Sequence, residues 1–275
     1  MTVYDLHCHS TASDGRLTPT ELLQRAFEQG VDVLSLTDHD TVHGLAEASI
    51  AAEQCGVTLI PGIEFSSQWE RRGIHVVGLN IDLNSEVLAS AVTAQLAARE
   101  VRGQLIAERL TKAGVQGALA GAQNIANGAV LGRPHFAQYL LDQGRVKSIN
   151  EAFKKYLGAG KPGDVKSLWP EMEQVVGWII AAGGVAVLAH PSKYKMTRTK
   201  LSSLVSDFAV SGGQALEVSS GLMPPGSTAT LARIAADYNL HASCGSDFHF
   251  PGHKWQELGQ FSPLPESCVP VWDLF

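Results

Sequence analysis

The sequence predicts an α/β protein in which a largely parallel sheet is interrupted by a helical insert. Three observations predict it. From residue 1 to about 95, short apolar runs alternate with amphipathic stretches in a βαβαβ rhythm; the rhythm returns after about 165; and the text between is helical, without a strong strand signal. Residues 1–97 and 166–275 are therefore expected to form the sheet-and-helix body, and 98–165 an inserted subdomain. At 275 residues and 45% hydrophobic content the chain can bury one large core with such an insert. The alternation fits an open doubly wound sheet or a closed barrel.

The elements follow in order. "TVYDLHCH" is the first strand, and "TPTELLQRAFEQG" a helix with Thr18 as N-cap, Pro19 in its first turn, Glu21 completing a capping box and Gly30 as its stop. "VDVLSLTDHD" is the second strand, "TVHGLAEASIAAEQCG" the second helix and "VTLIPGIEFS" the third strand. The insert carries its own apolar stripe through Leu105, Leu110, Phe136, Leu140 and Phe153. "PEMEQVVGWIIAAGG", "VAVLAHPS", "QALEVSSG", "ATLARIAADYN" and "LHASCGSDFH" then resume the alternation.

Twenty-seven acidic residues against 21 basic ones give a net charge of −6, which argues against a broad basic face and hence against DNA as a partner. An anionic ligand must be held locally. The four cysteines contain no CxxC pair, as expected of reduced thiols in a cytoplasmic protein. The start "MTVYDLHCHS" has no leader character, and no window approaches the ~18 apolar residues of a membrane span. Neither a membrane nor an obligate protein partner is expected.

Strand alternation in "TVYDLHCHS" puts Val3, Asp5, His7 and His9 on one face and Tyr4, Leu6 and Cys8, packing on helices, on the other. The polar face meets the carboxyl end of the strand, where active sites of α/β proteins lie. Other strand ends repeat the pattern: Asp38, His39 and Asp40; Glu64; His75; His190; Asp247 and His249. With Asp14, six of the ten histidines and three carboxylates map to one rim. Burying these groups together without a cation would cost several kcal/mol each. Nine candidate ligands suit two or three divalent ions, with Glu64 as the expected bridge. The nitrogen and oxygen set, free of thiolate, admits manganese, zinc or iron. Clustered ions suit phosphate ester hydrolysis, in which a hydroxide held between two of them attacks phosphorus in line.

"DLHCHSTASDG", "LSLTDHDTVHG", "PGIEFS", "IHVVGLN", "LAHPS" and "CGSDFH" together resemble, in order, the PHP (polymerase and histidinol phosphatase) metallo-phosphoesterases, relatives of the amidohydrolases. The resemblance covers most of the chain outside the insert and implies a distorted (β/α)7 barrel with metal ions, manganese foremost, at the strand ends. It implies His7, His9, Glu64 and Asp247 at a first site, Glu64, His75 and His190 at a second, and Asp14, His39 and His249 at a third. Asp14 stands where some branches carry histidine. "LGRPHFAQYL" and "YLGAGKPGDV" are similar to a bacterial branch, although "GDVK" follows "GKP" where that branch continues apolar or aromatic. This finer resemblance implies a phosphatase that removes the 3′-phosphate from nucleoside 3′,5′-bisphosphates, adenosine 3′,5′-bisphosphate above all. The alternative is a 5′-to-3′ exoribonuclease on short 5′-phosphorylated RNA.

"GRPH" places Arg133 and His135 near a helix start, where exposed amides favour anions, and with Lys161 of "GKP" they are expected phosphate contacts. His43 is a further rim candidate. Asp5, Asp38 and Asp40 are expected to orient ligand imidazoles. His241 and His253 are expected to be structural or superficial, and Trp69 to pack on its own domain rather than stack on a base. A non-catalytic metal-binding regulatory module is the rival from another class; the filled ligand set argues against it.

Overall fold

The computed structural model describes residues 2–165, 168–221, 223–252 and 256–275. Its strands are β1 (Tyr4–Cys8), β2 (Val33–Leu36), β3 (Thr58–Trp69), β4 (Arg72–Leu79), β5 (Val185–Leu188), β6 (Ala215–Ser220) and β7 (His241–Gly245), and they form one sheet in sequence order. The sheet curls into a nearly closed barrel. β1–β2–β3 and β5–β6–β7 pair in parallel; β4 runs antiparallel to both its neighbours. The expected βα alternation therefore breaks once, because β3 turns straight back into β4 as a long hairpin with no helix between.

Around the strands lie α1 (Pro19–Glu28), α2 (Leu45–Cys55), the long α3 (Glu86–Lys112), α4 (Ala118–Ala126), α5 (Arg133–Asp142), the short α6 (Ile149–Ala152), α7 (Met172–Ala181), α8 (Arg198–Val210) and α9 (Ser227–Asp237). α1 starts as its sequence demands: Thr18 Oγ1 accepts from Glu21 N at 3.2 Å, and Thr18 N donates to Glu21 Oε2 at 2.8 Å. α3 runs unbroken through residue 97. Its first half buries Leu88, Ala91 and Val92 against the barrel, while Ile106, Ala107 and Leu110 join Phe136, Leu140 and Leu157 in a separate core. One helix thus carries both bodies, and it carries polar side chains between them.

Leu6, Val33, Val77, Val187 and Ala215 fill the barrel, whose bottom is closed by Val271 and by Trp272 stacked on Tyr4 at 3.9 Å. Strict alternation in β1 is not observed. Tyr4 and Leu6 belong to this interior cluster, whereas Cys8 packs with Leu22 and Leu36 on the helix side. The cause is a bulge: Asp5 to Cys8 of β1 spans only Leu34 to Leu36 of β2. The extra residue turns His7 into the barrel mouth. A second bulge lies in β6, between Glu217 and Ser219.

β1 and β7 close the barrel without a regular ladder. Asp247 N donates to His7 O at 2.8 Å, His9 N to Phe248 O at 2.9 Å, and Ser246 N to the Asp5 carboxylate at 2.8 Å. Such contact needs glycine at 245, since a Cβ there would lie 2.4 Å from His7 Cβ. Among the described residues, no helix is long and apolar enough to cross a membrane.

Candidate metal centre

The barrel mouth gathers all nine expected ligand residues. Glu64, fully buried on β3, is their hub. Its Oε1 lies 2.8 Å from His75 Nδ1 and 2.9 Å from His190 Nε2; its Oε2 lies 3.3 Å from the Nε2 atoms of both His7 and His9, and 2.9 Å from His39 Nδ1. Asp247 Oδ1 faces His7 and His9 at 3.6 and 3.3 Å. Asp14 lies 3.5 Å from His249 Nε2 and 3.8 Å from His39 Nε2. His7–His9–Asp247, His7–Glu64–His190, His39–Glu64–His75 and His9–Asp14–His39–His249 each bring one donor atom per residue within 4.8 Å of the others. The expected first and second sets meet at Glu64. The third set also takes in His9, and His39 stands between it and Glu64.

Local structure explains how each group arrives. Asp38 accepts from Ser10 N, Ser10 Oγ and Ser13 Oγ at 2.8, 2.6 and 2.6 Å, which folds the turn that presents Asp14. Gly15 completes that turn where a Cβ would lie 2.4 Å from His9 O. His190 and Asp247 leave β5 and β7 in left-handed conformations, φ 29° and 53°. For such residues this costs of order 1–3 kcal/mol, a cost that tends to be concentrated at functional sites. Glu217 holds the first of them, accepting from His190 N and, at 3.1 Å, from His7 Nδ1. With the Nδ1 proton engaged, His7 Nε2 turns its lone pair to the centre.

Charge is balanced tightly. Burial opposes ionisation of Glu64, but His39, His75 and His7 outweigh it and hold the carboxyl well below its usual range. Asp247 and Asp14 are lowered in the same way, against burial, chiefly by Lys193 and by His39 respectively. Burial followed by His249 and His39 pushes His9 down to about 4, and burial pushes His75 to about 4 despite Glu64. On His39, Glu64 and Asp14 overcome burial and raise it to about 9.

Polar satisfaction argues for a metal centre. Among the described residues, eleven buried side-chain N and O atoms lack a hydrogen-bond partner, and seven are here: His7 Nε2, both nitrogens of His9, Asp14 Oδ1, His39 Nδ1, Glu64 Oε2 and His190 Nδ1. Orphaned buried atoms are rare and costly, and these belong to residues that each bring a donor atom within 4.8 Å of the others in their set. The donor set fits divalent cations. Cys8, the nearest thiol in sequence, points away and donates to Ser35 O.

Above the centre lies a pocket between Asp14, His39 and His75 below and Arg102, Arg133 and Trp169 above. Through His75, Arg102, Arg133 and Trp169 it opens into a cleft of about 670 Å³ that reaches the β3–β4 turn. Arg133 stands at the start of α5 as expected, its guanidinium 5.8 Å from the Phe153 ring. His135 caps α5, with Gly132 N donating to its Nδ1 at 3.0 Å. Lys161 is exposed in a turn and His43 lines a different hollow with Leu96 and Val130; neither lines the pocket or the cleft.

The carboxylates expected to orient imidazoles do other work. Asp5 joins β1 to β7, Asp38 folds the Asp14 turn, and Asp40 accepts from Arg99 Nε, Ser66 N and Gln95 Nε2 at 2.6, 2.7 and 3.0 Å. Glu217 orients the imidazole, a role the sequence reading missed; its only signal was one acid in the buried strand "QALEVSSG". Arg99 and Arg102 were also missed, although three-residue spacing in "REVR" puts them on one helix face. Both lie about 5 Å from the Trp169 ring, at 5.4 and 5.1 Å. Trp69 packs on its own domain, its indole N–H donating to Asp207 at 2.8 Å under Lys200. His241 starts β7 at the far end from the centre, and His253 lies outside the described residues.

The PHP domain family model matches residues 5–165, from β1 through the insert. The chain belongs to the PHP domain family. Among curated relatives, this PHP protein is 47% identical to a 5′-3′ exoribonuclease of Haemophilus influenzae, over 99% of this chain and 98% of that one. It is 43% identical to a 3′,5′-nucleoside bisphosphate phosphatase of Chromobacterium violaceum, over 98% and 94%. Its fold superposes on a C. violaceum amidohydrolase solved with bound sulfate and no metal, at TM-score 0.92 and 42% identity, covering 99% and 96% of the two chains.

Proposed function

We propose that this PHP protein is a metal-dependent phosphohydrolase that removes the 3′-phosphate from nucleoside 3′,5′-bisphosphates, converting adenosine 3′,5′-bisphosphate to AMP and phosphate. One observation carries the reading: Glu64 is shared between two sets of histidines, and two of those histidines, His39 and His75, line a pocket together with Arg102 and Arg133. His7, His9, Glu64 and Asp247 would hold one ion, Glu64, His75 and His190 a second, and Asp14, His39 and His249 a third; manganese is the proposed metal. When bound there, divalent cations supply charge stabilisation to both the attacking and the leaving oxygen of a phosphate ester.

The chain's own residues do the rest. Arg102 and Arg133 take the second phosphate of the substrate and fix its distance from the scissile one. Burial, with neighbouring arginines, disfavours the charge on Arg102, whose buried Nε lacks a partner; an anion supplies both. Burial likewise lowers Arg133. Glu217 holds His7 in the tautomer that presents Nε2, and Asp38 holds the turn that carries Asp14.

The exoribonuclease reading is favoured by one observation of its own, a cleft that continues past the pocket. The test is phosphate release from adenosine 3′,5′-bisphosphate by the manganese-loaded protein, beside a short 5′-phosphorylated RNA, with His9→Ala as control. Release from the bisphosphate that the control abolishes supports the phosphatase. RNA processing with little bisphosphate turnover transfers the conclusion to the exoribonuclease, and turnover of neither by metal-loaded protein rejects both in favour of a binding module.

A further inference from the structure

The second set of ligands depends on a side chain that is not itself a ligand. His75 lies on β4, and His190 lies two residues past the end of β5. Their imidazoles meet at one oxygen, Glu64 Oε1, at 2.8 and 2.9 Å, with ring centroids 5.2 Å apart. Because the two rings come from different strands, the spacing of β4 and β5 at this level sets the span between them.

The antiparallel ladder is regular from Leu79 and Val185 to Val76 and Leu188, and the next pair outward is His75 and Ala189. In a hydrogen-bonded antiparallel pair the two residues exchange both of their N–H···O bonds. Here one is made directly, with Ala189 N donating to His75 O at 3.2 Å. A phenol replaces the other. His75 N donates to Tyr194 Oη at 2.9 Å, and Tyr194 Oη donates to Ala189 O at 2.8 Å. A hydroxyl suits this place because it accepts and donates at once. β3 offers no substitute: Ser66, opposite His75, turns its N–H to Asp40 and its carbonyl to Gln95. The phenol belongs to the single-turn 3-10 helix Pro191–Tyr194 directly after His190, and its ring crosses the His190 imidazole at 70° with centroids 5.5 Å apart. One side chain therefore touches the backbone of one ligand and the ring of the other.

We infer that Tyr194 is a positioning residue of the second metal site: its hydroxyl, inserted into the β4–β5 ladder, sets the span between His75 and His190. This rests on the reading of Glu64, His75 and His190 as ligands of one ion. Without the hydroxyl, the ladder either closes to a direct bond from His75 N to Ala189 O or leaves both groups without partners. Either change shifts two imidazoles that must meet the same ion, and metal–ligand distances tolerate only about 0.2 Å. The effect is local, since His9, Asp14 and His39 stand on other elements.

The experiment titrates manganese into metal-free protein, counting free manganese by electron paramagnetic resonance, with urea melts alongside. Tyr194→Phe keeps the ring and removes only the hydroxyl. It is expected to weaken one ion per chain by about 10–100-fold and the others by less than about threefold. para-Aminophenylalanine at position 194 restores a donor and an acceptor at the same point and should recover most of the loss. Unchanged manganese binding by Tyr194→Phe overturns the inference. So does a loss shared equally by all ions, or one that the para-amino group fails to recover, since a ring that only packs would give either. An unfolded Tyr194→Phe beside a para-amino variant of wild-type affinity assigns the hydroxyl to folding and also overturns it. Failure of the underlying reading shows separately, in the wild type, as manganese binding at a single site or none.

Discussion

The contact between the long helix of the insert and the barrel gives the sharpest prediction. Arg99 on α3 donates from Nε to Asp40 at 2.6 Å, from Nη2 to Ser66 Oγ at 3.1 Å and from Nη1 to Leu131 O at 3.2 Å. Asp40 is fully buried next to His39, and Leu131 lies two residues before Arg133, the first residue of α5. Arg99→Met keeps most of the side-chain volume but removes all three bonds and leaves the Asp40 charge buried with only Ser66 N and Gln95 as donors. Breaking a buried pair from one side costs about 3–5 kcal/mol. At a urea slope of about 3 kcal/mol/M the unfolding midpoint should fall by about 1–1.7 M. Asp40→Asn removes the stranded charge and keeps a residue tolerant of φ 55°, so the double variant should be more stable than the sum of the singles implies. A loss below about 1 kcal/mol for Arg99→Met, or strict additivity, would refute the assignment of this pair as the joint between the two bodies.

Three further outcomes are expected. Glu217→Gln should lower metal affinity about 10–100-fold by loosening His7, read by calorimetric titration of manganese into metal-free protein; unaltered affinity would show that His7 needs no support. Gly245→Ala should destabilise the fold by about 1–3 kcal/mol in a denaturant melt, since its Cβ must displace β1 at His7; wild-type stability would mean that β1 and β7 are not in contact there. Metal-free protein should lose stability as pH falls from about 6.5 toward 4, because the unfolded chain protonates histidines that the fold keeps neutral, His9 and His75, both lowered to about 4. His39 acts with the opposite sign and in a different window, its contribution being complete below 6.5 and lost as pH rises through about 9. Melting temperatures across the acid window, compared with those of His9→Gln, check this: the variant should show a shallower acid limb, and an unchanged limb would count against His9.

Much of the centre was legible because it is written in short segments. A ligand at the end of a strand needs only that the strand form and that strands share a direction, so "HCH", "DHD", "IEF", "LAHPS" and "SDFH" could be placed at one rim one by one. The cap of α1 was legible for the same reason: Thr18, Pro19 and Glu21 interact within one turn. The β3–β4 hairpin was harder, since antiparallel return in place of a crossover depends on how much sheet lies beyond it. His135 shows the limit within a motif. A histidine at the third position of a helix can contact a ligand, cap the helix, or do both through its two nitrogens, and only the folded backbone shows that Nδ1 caps.

Sequence alone determined the α/β class, the ligand chemistry and the strand ends where it gathers, because residue type and period are local properties. Tertiary structure decided that β1 and β6 are bulged, so that His7 and Glu217 meet across the barrel mouth. It also decided that α3 brings Arg99 to Asp40 and Arg102 over the pocket. These depend on the register of strands and the crossing of a helix between residues 59 to 210 positions apart in the chain. Register and crossing are set by packing of the whole core, which no short segment contains.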